Sequence, residues 1–213
     1  MTIDRQTLDF YNESAGEYAD HGESEDRGPW LRRFATHVPM RSAVLDLGCG
    51  SGWASASLAR LGYRVSAMDA SEAMAAEAKE RHGISVRVAD FDALRAERAY
   101  LGIWAAFSLL HDSRAAMPGH LSRIARALKQ GGVVYLGLKE GTGSERDDLG
   151  RAYTFFTESE IHSMLVRAGL TVIEIYHEPG HGYDGTPCKL MHVYARQTRE
   201  RALPASPAAR LMH

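Results

Sequence analysis

The segment Val44-Leu45-Asp46-Leu47-Gly48-Cys49-Gly50-Ser51-Gly52 sets an acid ahead of three glycines at alternate positions. A short apolar run enters it, and a small-residue stretch of helical composition, Ser51 to Leu61, leaves it. The pattern predicts a strand, a tight turn and a helix. Glycines there let the backbone turn sharply and let a ligand approach with no Cβ in the way. A dinucleotide turn uses G-x-G-x-x-G and offers bare N–H groups to a pyrophosphate. Here the spacing is G-x-G-x-G, and Asp46 stands at the mouth of the turn. A carboxylate at that place repels a pyrophosphate and suits a ligand bearing an ammonium or a sulfonium. This speaks against a nicotinamide or flavin oxidoreductase.

Two more acids follow at strand ends. Tyr63-Arg64-Val65-Ser66-Ala67-Met68-Asp69 is a second strand ending in an acid. Asp69 lies about twenty residues beyond the turn, where nucleotide-binding α/β folds place the acid that grips ribose hydroxyls. Capping explains Asp69 less well, because Ser71 is the better N-cap. Val86-Arg87-Val88-Ala89-Asp90-Phe91 is a third strand ending in Asp-Phe. The glycine turn with three acids at three strand ends resembles motif I and its sequel in the class I S-adenosylmethionine (SAM)-dependent methyltransferases, over roughly residues 40 to 196.

That resemblance implies SAM as methyl donor and S-adenosylhomocysteine as product. It implies Asp46 acting near the methionine ammonium through the turn, with Gly48, Cys49 and Gly50 backing the methionine moiety. Asp69, followed by Ala70, is implied at the ribose, and Asp90 with Phe91 at the adenine. Met74 is a candidate adenine cover or a plain core residue, and Phe107 closes the fourth strand beside the cofactor. Asp90-Phe91 also reads as a strand-end turn. Relatives often carry an acid at the start of strand four; Tyr100-Leu101-Gly102 has none.

The acceptor side is argued from position. Ligands bind beyond the carboxyl ends of strands in such sheets. His111 follows strand four, and is either a base near neutral pH or a structural histidine. Arg151 and Tyr153 follow strand five, and Trp30 opens the helix feeding strand one. Arg151 is expected to pair with an anionic group of the acceptor. Phe155 and Phe156 serve equally well as an apolar cover. His177, His181 and His192 with Cys188 fit no zinc spacing, so no metal is expected.

These residues need a frame. Leu8, Tyr11, Ala15 and Tyr18 have helical spacing, which predicts an amphipathic helix over residues 3–19. It is the candidate lid, with Tyr11 and Tyr18 over the cofactor. Gly22 to Gly28 reads as a charged flexible link, and Pro29 fits the first turn of helix Trp30–Val38. Strands alternate with helices from there: strand Ala43–Leu47, helix Ser71–His82, strand Ile103–Phe107, helix Arg114–Lys129, strand Val133–Lys139 and helix Glu158–Ala168. Thr157-x-x-Glu160 is a capping box for the last helix. Strands Thr171–His177 and Lys189–Arg196 enclose a loop rich in Gly and Pro and should pair antiparallel. The expected fold is α/β and Rossmann-like: a doubly wound seven-stranded sheet, mostly parallel, with helices on both faces. The resemblance places the antiparallel last strand between the fifth and sixth.

The 213 residues, 45% hydrophobic and 24% charged, suffice for one buried core. Residues 1–39 are expected as a helical lid, 40–197 as the SAM-binding methyltransferase domain, and 198–213 as a disordered tail. A net charge of −2 makes no case for nucleic acid or an anionic membrane. No apolar run approaches spanning length, no signal-peptide pattern is present, and the two cysteines read as free thiols, so a cytoplasmic location is expected. The function expected is methyl transfer to a small molecule. The alternatives are a SAM-binding protein without catalysis and, further off, a nicotinamide-dependent oxidoreductase. Oligomeric state and acceptor identity are not written in these patterns.

Overall fold

The computed structural model describes residues 4–24 and 28–198. Two helices lead, α1 (Arg5–Glu13) and α2 (Ala15–Ser24), followed by α3 (Gly28–His37). The single helix expected over residues 3–19 is therefore broken at Ser14, and its second half runs on through residues 22–24, where a flexible link was expected. Asp4 caps α1 by accepting from the Thr7 N–H at 2.9 Å. The expected tail beyond Thr198 lies outside the described residues.

The sheet follows. Its strands are β1 (Ala43–Leu47), β2 (Arg64–Asp69), β3 (Val86–Val88), β4 (Tyr100–Ala106), β5 (Leu128–Lys139), β8 (Leu170–His181) and β9 (Pro187–Gln197). A separate hairpin pairs β6 (Ser144–Arg146) with β7 (Ala152–Thr154). Helices α4 (Trp53–Arg60), α5 (Glu72–His82), α6 (Met117–Ala127) and α7 (Glu158–Ala168) connect the strands. The order is β3-β2-β1-β4-β5-β9-β8, with the first five strands parallel. β9 runs antiparallel to both β5 and β8, between them, as the resemblance implied. Ser71 caps α5, Gly83 ends it, and Thr157 with Glu160 forms the capping box of α7.

Side chains alternate across the strands, so each face has its own core. Leu45, Leu47, Ile103, Val134 and Leu136 face one way, against Leu121 and Ile124 of α6 and Leu165 of α7. Val44, Trp104, Val133 and Tyr135 face the other way, against Phe34 of α3 and Leu58 of α4. Asp46 belongs by parity to this second face, in one row with Trp104, Tyr135 and Tyr194. Two residues on along β5 and β9, the row continues with Gly137 and His192, and two further on with Lys139, Leu190 and, on β8, Glu178. The face thus passes from apolar core to polar rim toward the carboxyl end of the parallel strands.

Candidate active site

The strand order reverses between β1 and β4, the point at which open α/β sheets bind ligands. Ser108, just after β4, donates its hydroxyl to the Leu47 carbonyl at 2.8 Å and joins the two strand ends. Gly48 has φ +74°, and a Cβ there would fall 2.2 Å from the Ser108 Cβ. That glycine is required by packing. Gly50 has φ +52°, and a Cβ there would meet nothing within 4 Å. It presents bare backbone to an open cavity.

That first cavity brings together most of the residues read from the sequence. Asp46, Gly48, Cys49 and Gly50 line it on one side, with Asp69, Ala70 and Met74 on another. Phe91, Phe107, His111, Tyr11 and Tyr18 complete the expected set. Asp90 is the exception. Its side chain accepts from the Ala93 N–H at 3.2 Å and caps a 3-10 turn over Phe91–Ala93, so it stands outside the lining. The strand expected to end there stops at Val88. Lining residues that sequence reasoning missed include Thr7, Trp53, Trp104, Ser108 and Asp112.

Two carboxylates meet at this cavity in environments hostile to negative charge. Asp46 is 1% exposed and accepts from the Ser55 hydroxyl at 2.7 Å. Burial pushes its carboxyl up to about 7, with the charge of Asp69 adding to the shift. Asp69, the last residue of β2, is half-buried. Its Oδ2 accepts from the Gly50 N–H at 2.8 Å and its Oδ1 from the Ser71 N–H at 2.9 Å. Burial raises its pKa too, while those amides oppose the rise. The thiol of Cys49 is pushed up by burial. It is a wall atom rather than a nucleophile.

A second cavity adjoins the first. Tyr11, Tyr18, Trp104, Ala106, Phe107 and His111 line both. Trp30, Arg151 and Tyr153, the expected acceptor residues, line the second, together with His111. The structure adds Lys139, Glu178, Tyr183 and His192, which sequence reasoning missed. Lys139 ends β5 as His111 follows β4, so the strand-end rule could have found it. Glu178 and His192 needed the register of two antiparallel strands.

His111 is held at both nitrogens. Nδ1 lies 2.8 Å from the Ala152 carbonyl, which can only accept, so Nδ1 carries the proton. Nε2, 2.8 Å from the Tyr11 hydroxyl, is therefore the acceptor of that phenol's proton. Burial pulls the His111 pKa down to about 4, and burial holds the Tyr11 phenol well above its ordinary value. The pair is neutral near pH 7. A second buried pair stands at the far wall: Tyr135 Oη lies 2.8 Å from His192 Nδ1, and His192 Nε2 donates to Glu178 at 3.0 Å.

Arg151 departs from expectation. It is 1% exposed, and its Nε and Nη2 donate to Asp147 Oδ2 at 2.9 and 2.6 Å. Its charge is engaged within the protein rather than offered to an acceptor. The late histidines do not converge either. His177 pairs with Glu140 and Glu158, while His192 pairs with Tyr135 and Glu178. Among the described residues no group of three or more His, Cys, Asp or Glu side chains could hold a metal ion.

The α-helices fasten over these cavities through side chains. Besides Tyr11 on His111, Thr7 Oγ1 of α1 accepts from the Ala152 N–H at 2.8 Å, and Asn12 accepts from the Ser71 hydroxyl at 2.7 Å. Asp4 takes two hydrogen bonds from Arg146, at 2.9 and 2.8 Å. No helix among the described residues is long and apolar enough to cross a membrane.

Comparison with known proteins gives a family match over part of the chain and solved structures of the same fold. Residues 44–132 match the family described as methyltransferase domain. The glycine turn lies within that match, and the sheet order agrees with the methyltransferase fold. Among solved structures, it is similar to Burkholderia thailandensis 1,6-didemethyltoxoflavin-N1-methyltransferase, solved with 1,6-didemethyltoxoflavin and S-adenosylhomocysteine. That likeness has 23% identity, 91% coverage of this chain and 88% of the other, and a TM-score of 0.74. The methyltransferase of a Haloferax volcanii complex with the Trm112 activator gives 19% identity, 92% and 100% coverage, and a TM-score of 0.72. DhpI, solved with S-adenosylhomocysteine, gives 21% identity, 93% and 98% coverage, and a TM-score of 0.69. At these identities the likenesses establish the fold. No curated protein matches the chain.

Proposed function

We propose that this protein transfers a methyl group from SAM, held in the first cavity, to a small molecule held in the second. The observation that carries the reading is the shared wall. Two cavities meet at Tyr11, Phe107 and His111 beneath one helical roof. Transfer between two bound molecules needs such adjoining compartments, with the reactive groups aligned and water kept out.

The residues of the first cavity fit the donor. Gly50 leaves open space where a ligand would back onto the chain. Asp46, a buried acid on the wall, would be drawn toward its ionised form by the ammonium of a methionine moiety, which would offset the effect of burial. Asp69 stands at the end of β2, suited to ribose hydroxyls, and Phe91 and Met74 offer apolar surface to a base. The bound donor supplies a methyl group already activated by its sulfonium.

The chain's own part is to position, enclose and deprotonate. α1 and α2 cover the site through Tyr11 and Tyr18. An acceptor O–H or N–H at the junction can pass its proton to the Tyr11 oxygen as the phenol proton moves onto His111 Nε2. His111 would then be the terminal base and Tyr11 the group that touches the acceptor. The scale of the second cavity and the near-neutral charge support a small molecule rather than a macromolecule. The 1,6-didemethyltoxoflavin bound in the Burkholderia structure agrees with that class.

Calorimetry of the purified chain with SAM, S-adenosylhomocysteine and NADH tests the donor. Binding of the first two and not the third is expected. Formation of S-adenosylhomocysteine on adding a pool of small phenols and heterocycles tests transfer. Tight NADH binding without SAM binding would sink the proposal.

A further inference from the structure

Two cations line the acceptor cavity, and their situations differ. The Arg151 guanidinium is engaged by Asp147 and lies 4.9 Å from the Phe10 ring centroid and 5.3 Å from those of Tyr153 and Tyr183. It is a structural cation packed among rings. Lys139, the last residue of β5, is half-buried. Its ammonium sits 3.8 Å from the Tyr153 ring centroid, and no carboxylate among the described residues comes within ion-pair distance.

The nearby acids stop short of an ion pair with this ammonium, although, against the opposing effect of burial, the charges of Lys139 and Arg151 help to hold the Asp184 carboxyl below its ordinary pKa. Asp184 accepts from the Thr186 N–H and hydroxyl at 3.1 and 2.9 Å. Glu178 shares the Lys139 row, since Lys139 is opposite Leu190 and Leu190 opposite Glu178. It takes hydrogen bonds from Trp30 Nε1 and His192 Nε2, both at 3.0 Å. A partly desolvated ammonium resting on a ring face has donors to spare, and an arriving anion would satisfy them by charge-assisted hydrogen bonds.

The walls state the rest of the ligand's shape. Trp30 stacks on His192 with centroids 3.9 Å apart and planes 12° from parallel. Trp104 stacks on Tyr135 at 3.8 Å and 11°. All four line the cavity. Rings fixed in stacked pairs make rigid walls at little entropic cost, and the half-buried Trp30 adds ring surface to them, which favours a flat guest.

We infer that the acceptor is a planar aromatic or heteroaromatic molecule bearing an acidic group, and that Lys139, rather than Arg151, receives that group. The inference rests on the reading that the second cavity is the acceptor site. It adds a substrate class and names Lys139 as the residue that selects it.

The test uses 3-hydroxy-2-naphthoate and 2-naphthol, one bicyclic phenol with and without a carboxylate. Each is titrated calorimetrically into the full chain, with and without S-adenosylhomocysteine. The native protein should bind the naphthoate at least about tenfold more tightly, the ratio that one charge-assisted contact yields. Lys139→Gln should bring the two probes within about twofold of each other, and Lys139→Arg should restore most of the preference. Far-UV circular dichroism of each variant serves as the check that it is folded. Equal binding of the two probes by the native protein, no binding of the naphthoate, or a preference kept in Lys139→Gln would each overturn the inference. A probe pattern as expected in a protein that binds no S-adenosylhomocysteine would leave the anion site standing and remove methyl transfer. The reverse result would do the opposite.

Discussion

Tyr11 and His111, a hundred residues apart in the chain, share a 2.8 Å hydrogen bond at the wall between the two cavities. It closes a ring of four residues. Thr7, one turn before Tyr11, accepts from the Ala152 N–H, and the Ala152 carbonyl accepts from His111 Nδ1. A helix that roofs the site and a histidine beneath it thus fix each other. The candidate base cannot be reoriented without moving the roof.

The ring separates two variants. His111→Ala should lower turnover by about 10²–10⁴-fold, the usual worth of a general base, while S-adenosylhomocysteine affinity stays within about twofold. Tyr11→Phe should also lower turnover and should loosen α1, because one net hydrogen bond of about 0.5–1.5 kcal/mol is lost. Steady-state kinetics beside calorimetry reads the first effect. Normal turnover in His111→Ala would make the histidine structural.

Hydrogen exchange reads the roof. Amides of α1 and α2 should exchange more slowly once S-adenosylhomocysteine is bound, and Tyr11→Phe should reduce that protection. Identical exchange with and without ligand would count against closure over the donor.

The glycines of the turn should part company. Gly50→Ala places a methyl in open cavity at a strained φ, so ligand affinity should fall more than folding stability. Gly48→Ala drives a Cβ into Ser108 and should chiefly destabilise the fold, by about 1–3 kcal/mol. Urea unfolding and calorimetry on both variants check the split. Equal effects on both measures would refute it.

Asp46 and His111 impose opposite pH dependences on stability. The His111 pKa, lowered to about 4 from 6.5, means that the unfolded chain binds the proton more tightly. Its contribution therefore grows as pH rises from about 4 to 6.5. The Asp46 pKa, raised to about 7 from 3.8, means that the folded chain keeps the proton. Its contribution is lost as pH rises across that window. Each slope is at most about 1.4 kcal/mol per pH unit. Relative to the native protein, Asp46→Asn should gain stability as pH rises toward 7, and His111→Ala should lose it. Parallel urea-midpoint curves would show one of the two assignments to be wrong.

Asp69→Ala should weaken S-adenosylhomocysteine by roughly 1.5–3 kcal/mol, the worth of hydrogen bonds to a charged group. Because Asp69 also holds the Gly50 and Ser71 amides, a modest loss of stability should accompany it. An unchanged dissociation constant would remove Asp69 from the donor site.

Local pattern sufficed wherever neighbours in sequence decide the outcome. The Ser71 cap, the Gly83 stop and the Thr157–Glu160 capping box stand where their residue types required. The glycine turn at the switch point and Asp69 at the end of β2 were legible for the same reason: backbone sterics and strand-end chemistry act within a few residues. Asp90 shows the limit, since the same local chemistry drew its carboxylate into a cap and away from the cavity. What tertiary structure alone decided is pairing over long distance. That Arg146 is engaged by Asp4, that Tyr11 reaches His111, and that Lys139 and Glu178 share a row follow from helix docking and from the insertion of β9 between β5 and β8. A side chain's charge is written in the sequence; whether it is already neutralised depends on which distant partner the fold delivers to it.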